Sequence, residues 1–249
     1  MILLQLKSLH KTFNHFCALD NIDFSVSEGE IVGLVGPNGA GKTTLFNLIS
    51  GRYKPSRGNI LFNGLDITNL KPHTICRLGI SRTFQSSRPF PRMTVMENVL
   101  VGHVFGKGSS FFNCPKDKQT AEALLDIVGI AHKAEIPADQ LTLSEKRRLD
   151  LARALATRPK LLLLDEVAAG FSPVLVKQSI DLINRVRERG VTLLIIDHFL
   201  NLSLKVSDRL LALDHGEKIA EGPPHAVMRN PEVLQAYLGL RHEDENDER

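Results

Sequence analysis

The sequence predicts an α/β fold: buried parallel strands with flanking helices, an antiparallel β subdomain before them and an inserted helical subdomain. Three observations predict it. The runs "KLLLLDE" and "VTLLIID" are apolar along their length, as parallel strands covered on both faces are. A glycine-rich stretch, "GPNGAGKTT", lies between a strand-like run and helically spaced residues. From Gln119 to Leu155 the spacing is helical, between segments that belong to the strand-rich core.

Taken in order, the first 35 residues alternate short apolar runs ("ILLQLKSL", "ALDNIDFSV") with turn residues, then Glu28-Gly29-Glu30 precedes "IVGLVG". This predicts antiparallel strands leading into a buried parallel strand. "GKTTLFNLISG" has helical spacing and ends at Gly51, a C-cap signal. "GNILFNGLDIT" reads as a short strand pair around an Asn-Gly turn. After Gln85 the composition shifts to prolines, basic residues and aromatics, with a Gly/Ser break at 106–110. An amphipathic helix is expected near Val174 to Glu188, between the two apolar strands, and the tail "RHEDENDER" is expected to be disordered.

Composition sets limits. A chain of 249 residues, 43% apolar and 24% charged, can bury a substantial core. Its net charge of +3 gives no ground for a nucleic-acid partner. Cys17, Cys76 and Cys114 form no CxxC pair, which argues against a zinc site or disulfide framework and fits a reducing cytoplasm. No apolar run approaches the roughly 18–20 residues needed to span a bilayer. "MILLQLK" lacks the pattern of a signal peptide, so attachment to a membrane would need a partner.

Gly36 to Thr44 fits GxxxxGK[ST] in the required strand–loop–helix context. Glycines let successive backbone N–H groups converge on a phosphate, and a helix N-terminus adds its dipole. The loop residues Gly36, Pro37, Asn38, Gly39, Ala40, Gly41, Lys42, Thr43 and Thr44 are thus the candidate nucleotide cradle. Lys42 would reach the β- and γ-phosphates, and the Thr43 hydroxyl would hold Mg²⁺. "LLLLDE" places Asp165 at a strand's C-terminal end, where α/β sheets bind ligands; Asp165 is expected near Mg²⁺ and Glu166 beside the attacking water. A small GTPase would carry an NKxD motif, and none is present.

Three further features complete a set. Gln85 closes "ISRTFQ", His198 closes "LLIIDH", and "LARALATRPK" precedes the acidic strand. Glycine loop, glutamine, helix, Asp-Glu and histidine in this order resemble the nucleotide-binding subunit of an ABC transporter, from "LHKTF" to "AYLG". "SRTFQ…FPRMTVMENVLVG", "LDEVAAGFSP" and "GEKIAEG…EVLQAYLG" are similar to ATPases of the branched-chain amino-acid and urea/amide importers. The alternatives are a lipopolysaccharide-export ATPase, whose glutamine strand typically reads Leu-Pro-Gln, and a non-transport ABC ATPase.

The resemblance implies a P-loop NTPase (RecA-like) fold in one domain over 1–249. Residues 1–87 and 156–240 would form the nucleotide-binding core with its β subdomain, 88–155 the helical subdomain with the signature segment, and 241–249 a charged tail. It implies ATP and Mg²⁺ as cofactors and ATP hydrolysis coupled to transport. Phe13 stands where the family's aromatic stacks on adenine, Gln85 would touch Mg²⁺ or water, and His198 would bond the γ-phosphate. "RPFPRMTVMENV" resembles the surface that accepts a permease coupling helix, with Phe90 and Met93, expected to be exposed, as contact candidates. The expected partners are a second ABC ATPase, membrane permeases and, indirectly, a solute-binding protein, at the cytoplasmic face of the bacterial inner membrane.

The signature departs from the family's Leu-Ser-Gly-Gly-Gln. Here it reads Leu141, Thr142, Leu143, Ser144, Glu145. Thr142 keeps a hydroxyl for a γ-phosphate, whereas Glu145 would bring like charge toward it. Thr142-x-x-Glu145 is also a capping box, which would satisfy two helix-start amides. Val167 and Ser172 also stand where the family commonly has proline and aspartate. What looks altered is the part lent to a partner's site, so a heterodimer with a second ATPase bearing an intact signature is expected.

Overall fold

A computed structural model describes residues 1–83, 89–106, 115–165, 173–196 and 200–238. A long hairpin of β1 (Ile2–Phe13) and β2 (Phe16–Ser27) leads into β3 (Ile31–Val35) and α1 (Lys42–Ile49). The pair β4 (Arg57–Phe62) and β5 (Leu65–Asp66) follows, then α2 (Pro72–Leu78) and β6 (Ile80–Arg82). Three helices come next: α3 (Val95–Phe105), α4 (Pro115–Val128) and α5 (Leu143–Ala156). The chain returns through β7 (Leu161–Asp165), α6 (Pro173–Arg187), β8 (Thr192–Ile196) and α7 (Leu200–Val206). It finishes with β9 (Arg209–Asp214), β10 (Glu217–Gly222), α8 (Pro224–Val227) and α9 (Pro231–Leu238).

The strands form two sheets. One is antiparallel, in the order β2-β1-β4-β5, and the tight β4–β5 turn falls at Asn63-Gly64 as the sequence predicts. The other runs β10-β9-β3-β8-β7-β6, parallel except for β10. The apolar strands serve two cores because side chains alternate across a sheet. Leu162, Leu164, Leu193 and Ile195 face the helical side with α3, α4 and α5. Leu161, Leu163, Leu194 and Ile196 face α1 and the antiparallel sheet. Burying each such leucine contributes about 1.5–3 kcal/mol. Arg209 links the sheets, donating to Glu30 Oε1 at 2.8 Å and to the Ser25 carbonyl at 2.6 Å.

The continuous helical reading from Gln119 to Leu155 is corrected: α4 and α5 are separate. Gly129 (φ 74°) ends the first, and Pro137 starts a short 3₁₀ turn, Ala138–Gln140, before the second. This linker has a task. The amides of Val95 and Met96, in the first turn of α3, donate to the carbonyls of Ile136 and Ala134 at 3.0 and 2.9 Å. First-turn amides have no partner within their own helix, so the linker satisfies them. Helix α3 crosses α5 closely at Gly102, where a Cβ would lie 2.4 Å from the Arg153 carbonyl oxygen.

Candidate functional site

The phosphate-loop residues lie between the end of β3 and the start of α1. Gly36, at φ 143°, could carry no side chain: a Cβ there would come within 2.0 Å of the Leu213 carbonyl oxygen on β9. The loop folds back so that Lys42 Nζ donates to the carbonyls of Gly36 (2.6 Å) and Pro37 (2.7 Å). Asn38 through Thr44 line a cavity of about 420 Å³, closed by Phe16 and Ala18 from the hairpin and by Ile196 from β8. Thr43 is exposed to this cavity and Lys42 is buried at its base. A glycine-rich backbone, an ammonium and a helix N-terminus at one concave site suit a polyphosphate.

Asp165 ends β7 in register with Ile196, the strand residue that lines the cavity. The acid is buried and its Oδ2 accepts from Arg82 Nη2 at 2.7 Å. Its amide donates to Thr83 Oγ1 at 3.2 Å. Arg82 also donates from Nη1 to Asn47 Oδ1 at 2.7 Å, which ties β6 to α1. The sequence gives no sign of Arg82 or Asn47, since β6 is only three residues long and the pairing is long-range. Gln85, Glu166, His198, Val167 and Ser172 lie outside the described residues.

Phe13 and Phe16 face each other across the hairpin end as register partners. Phe13 packs edge-on against Tyr53, with ring centroids 5.2 Å apart, and Lys11 Nζ sits 4.7 Å from its centroid. Phe16 is exposed and lines the phosphate cavity, a role that no motif in the sequence marks. Its signal in the sequence is an aromatic three residues after Phe13, across a turn at Asn14-His15.

Thr142 caps α5 and does not line its own chain's cavity. The capping box forms: Thr142 Oγ1 accepts from the Glu145 amide at 3.4 Å, and Glu145 Oε2 accepts from the Thr142 amide at 2.9 Å. Lys133 Nζ sits 2.5 Å from Glu145 Oε1. That hydrogen bond, aided by the Thr142 bonds, brings the Glu145 carboxyl down from its ordinary 4.5 to about 2. The negative charge is therefore paired within the chain. The Thr142 oxygen accepts an N–H and keeps its own proton to donate. Leu143, at 65% exposure, projects from the first turn.

A second concavity of about 680 Å³ lies between the α2–β6 segment and the helical layer, lined by Cys76, Ile80, Val101, Phe105, Arg153 and Thr157 among others. Phe90 is exposed beside it and stacks on the Arg153 guanidinium, 5.1 Å from ring centroid to Cζ. Met93 is half-buried rather than exposed. Among the described residues no helix is long and apolar enough to cross a membrane.

The family comparisons agree with this geometry. Residues 19–169 match the ABC transporter family, and residues 217–243 match the branched-chain amino acid ATP-binding cassette transporter family. The chain is 36% identical over 250 residues to the probable branched-chain amino acid transport ATP-binding protein LivG of Archaeoglobus fulgidus, covering 97% of each. It is 38% identical over 249 residues to the high-affinity LivG protein of Escherichia coli, covering 95% of this chain and 98% of that one. Among solved structures it resembles an ABC transporter cassette in its ADP conformation, with TM-score 0.87, 32% identity, and coverage of 96% and 99%. It also resembles a nucleotide-free cassette, with TM-score 0.85, 33% identity, and coverage of 95% and 99%. ATP hydrolysis is the activity of this family, and the chain belongs to the ABC transporter ATP-binding proteins, in the branch of the branched-chain amino acid cassettes.

Proposed function

We propose that the chain hydrolyses ATP to drive an importer of branched-chain amino acids or closely related small solutes. The observation that carries this reading is the cavity that Lys42 and Thr43 line together with Ile196, the register partner of Asp165 on the neighbouring strand. The relatives' transport of branched-chain amino acids supplies the solute class. The core is assigned to 1–87 and 156–240 and the helical subdomain to 88–155, with ATP in the cavity against the Phe13–Phe16 hairpin.

The available oxygen donors fit Mg²⁺, a hard cation that takes hydroxyl and carboxylate ligands: Thr43 lines the cavity and Asp165 has Oδ1 beside its arginine-bound Oδ2. Thr43 and Asp165, with Gln85, would hold it, and its chemistry would be neutralisation of phosphate charge. Lys42 exchanges its carbonyl partners for β- and γ-phosphate oxygens. Glu166 orients the water and His198 bonds the γ-phosphate. Catalysis is then positioning plus charge stabilisation.

A second ATPase subunit supplies the other face of each nucleotide. A heterodimer is favoured because this chain's signature keeps one obvious phosphate contact, Thr142, beside a protruding Leu143. The 680 Å³ groove, flanked by Phe90, is the proposed seat for a helix from a membrane permease; docking there would hold the chain peripherally at the cytoplasmic face, with a solute-binding protein delivering cargo outside. The test is Glu166→Gln in the reconstituted complex. Retained ATP binding with turnover lowered a hundredfold or more supports the assignment; unchanged turnover removes it.

A further inference from the structure

The C-terminal helix touches the phosphate loop. Tyr237 Oη accepts the Gly36 amide at 2.8 Å across 201 residues of sequence. Gly36 lies one residue past the end of β3, whose last partner on β9 is Ala212, so its amide leaves the strand ladder. Such an amide needs another acceptor when water is excluded.

The helix that brings this acceptor is firmly seated. Val233 is fully buried in a small core with Val35, Leu210, Ala212 and Val227. Val233 and Tyr237 are four residues apart and share a face of α9, so packing beneath Val35 delivers the hydroxyl to the next residue along, Gly36. Burial pushes the Tyr237 phenol up, partly offset by the Gly36 bond, so it stays a neutral hydroxyl at physiological pH.

We propose that Tyr237 is a positioning residue of the phosphate loop, acting through Gly36 on Lys42. The two sides of Gly36 connect them: its amide donates to Tyr237, and its carbonyl accepts from Lys42 Nζ at 2.6 Å. Holding one peptide plane restricts the next, so the hydroxyl sets where the lysine ammonium waits for the nucleotide. Tyr237 lies within 217–243, the stretch matched by the branched-chain cassette family, whereas the general ABC transporter match ends at 169. The acceptor thus lies in the stretch matched by the branched-chain cassette family, and the phosphate loop in the stretch matched by the general one. The inference rests on the nucleotide-binding reading of the cavity.

The test compares wild type, Tyr237→Phe and Leu238→Ala as full-length chains. Leu238 is exposed on the same helix and serves as a control. Affinity for Mg·ATP is measured with a fluorescent analogue, KM and kcat in the permease complex, and the Gly36 amide resonance by NMR without nucleotide. Removing one neutral hydrogen bond predicts about three- to tenfold higher Kd and KM for Tyr237→Phe. Its kcat should stay within about twofold, since no transition-state contact is touched. Its Gly36 amide should move upfield, and Leu238→Ala should match wild type throughout. Unchanged Kd and KM in Tyr237→Phe would overturn the proposal, as would an equal loss in Leu238→Ala, which would assign the effect to helix docking alone. Failure of the wild type itself to bind Mg·ATP would instead sink the nucleotide-binding reading.

Discussion

Arg82 Nη2 lies 2.7 Å from Asp165 Oδ2, and both side chains are 5% exposed. The same guanidinium donates to Asn47 and sits 5.5 Å from the Phe46 ring centroid. One cation therefore joins the phosphate-loop helix α1, the acidic strand β7 and strand β6, which leads toward Gln85. A buried pair of this kind does little for stability against an apolar substitute, but it is costly to break from one side.

Arg82→Met should leave Asp165 buried without its charge partner. The expected loss is about 3–5 kcal/mol of unfolding free energy, read from the urea midpoint at constant slope. Arg82→Lys keeps the charge and should lose less, although it cannot reach Asp165 and Asn47 together. Equal midpoints for wild type and Arg82→Met would show that the pair does not stabilise the core.

Lys42→Ala should remove the cation on which the loop closes. Binding of Mg·ATP is expected to fall at least about a hundredfold, the effect of deleting a buried charge-assisted contact of several kcal/mol. Isothermal titration with ATP checks this. The fold should persist, because the loop glycines, not the lysine, fit the backbone against β9.

Phe13 and Phe16 predict different outcomes. If the adenine stacks at the cavity wall, Phe16→Ala weakens ATP binding by about tenfold, in line with one aromatic contact of about 0.5–1.5 kcal/mol. Phe13→Ala should cost stability as well, since it also removes the Tyr53 and Lys11 contacts. Parallel nucleotide titrations and thermal melts separate the two. An unaffected Phe16→Ala beside a defective Phe13→Ala would return the stacking role to Phe13.

Acid should loosen the start of α5. The Glu145 carboxyl is depressed from 4.5 to about 2 chiefly by the Lys133 hydrogen bond. A depressed acid stabilises the folded state fully above its unfolded value. That contribution is lost as pH falls from about 4.5 toward 2. Glu145→Gln should therefore flatten this limb of the stability–pH curve, and Thr142→Ala should cost about 0.5–2 kcal/mol at neutral pH through loss of the cap. Thr142→Ser should restore the cap. A Glu145→Gln curve that falls as steeply as wild type between those pH values would exclude the Lys133 pair as the cause.

The legible parts of this chain are those whose signal is local. Leu161–Leu164 and Leu193–Ile196 declare buried strands because every position is apolar, and Lys42 declares its loop through fixed spacing. The capping box at Thr142 and Glu145 could also be read directly, whereas the pairing of Glu145 with Lys133 could not. Helix α3 escaped notice because apolar residues surround it; its signal, Thr94 followed by Glu97, matches the capping box that forms there. Arg82 with Asp165 and Tyr237 with Gly36 were invisible for a different reason: their partners lie 83 and 201 residues away. Side chains that work by joining distant elements leave no periodicity behind.

The two carbonyls that hold Lys42 give ATP capture the character of an exchange. The ammonium is buried and two backbone carbonyls are among its partners, so an arriving ligand must displace Gly36 and Pro37 to reach it. Neutral acceptors lose that contest to charged oxygens, and by a margin that widens with the number of charges offered. A monophosphate or a carboxylate brings fewer charges to that contest than a triphosphate chain does. The loop in this state therefore favours ligands that bring several phosphate charges to Lys42.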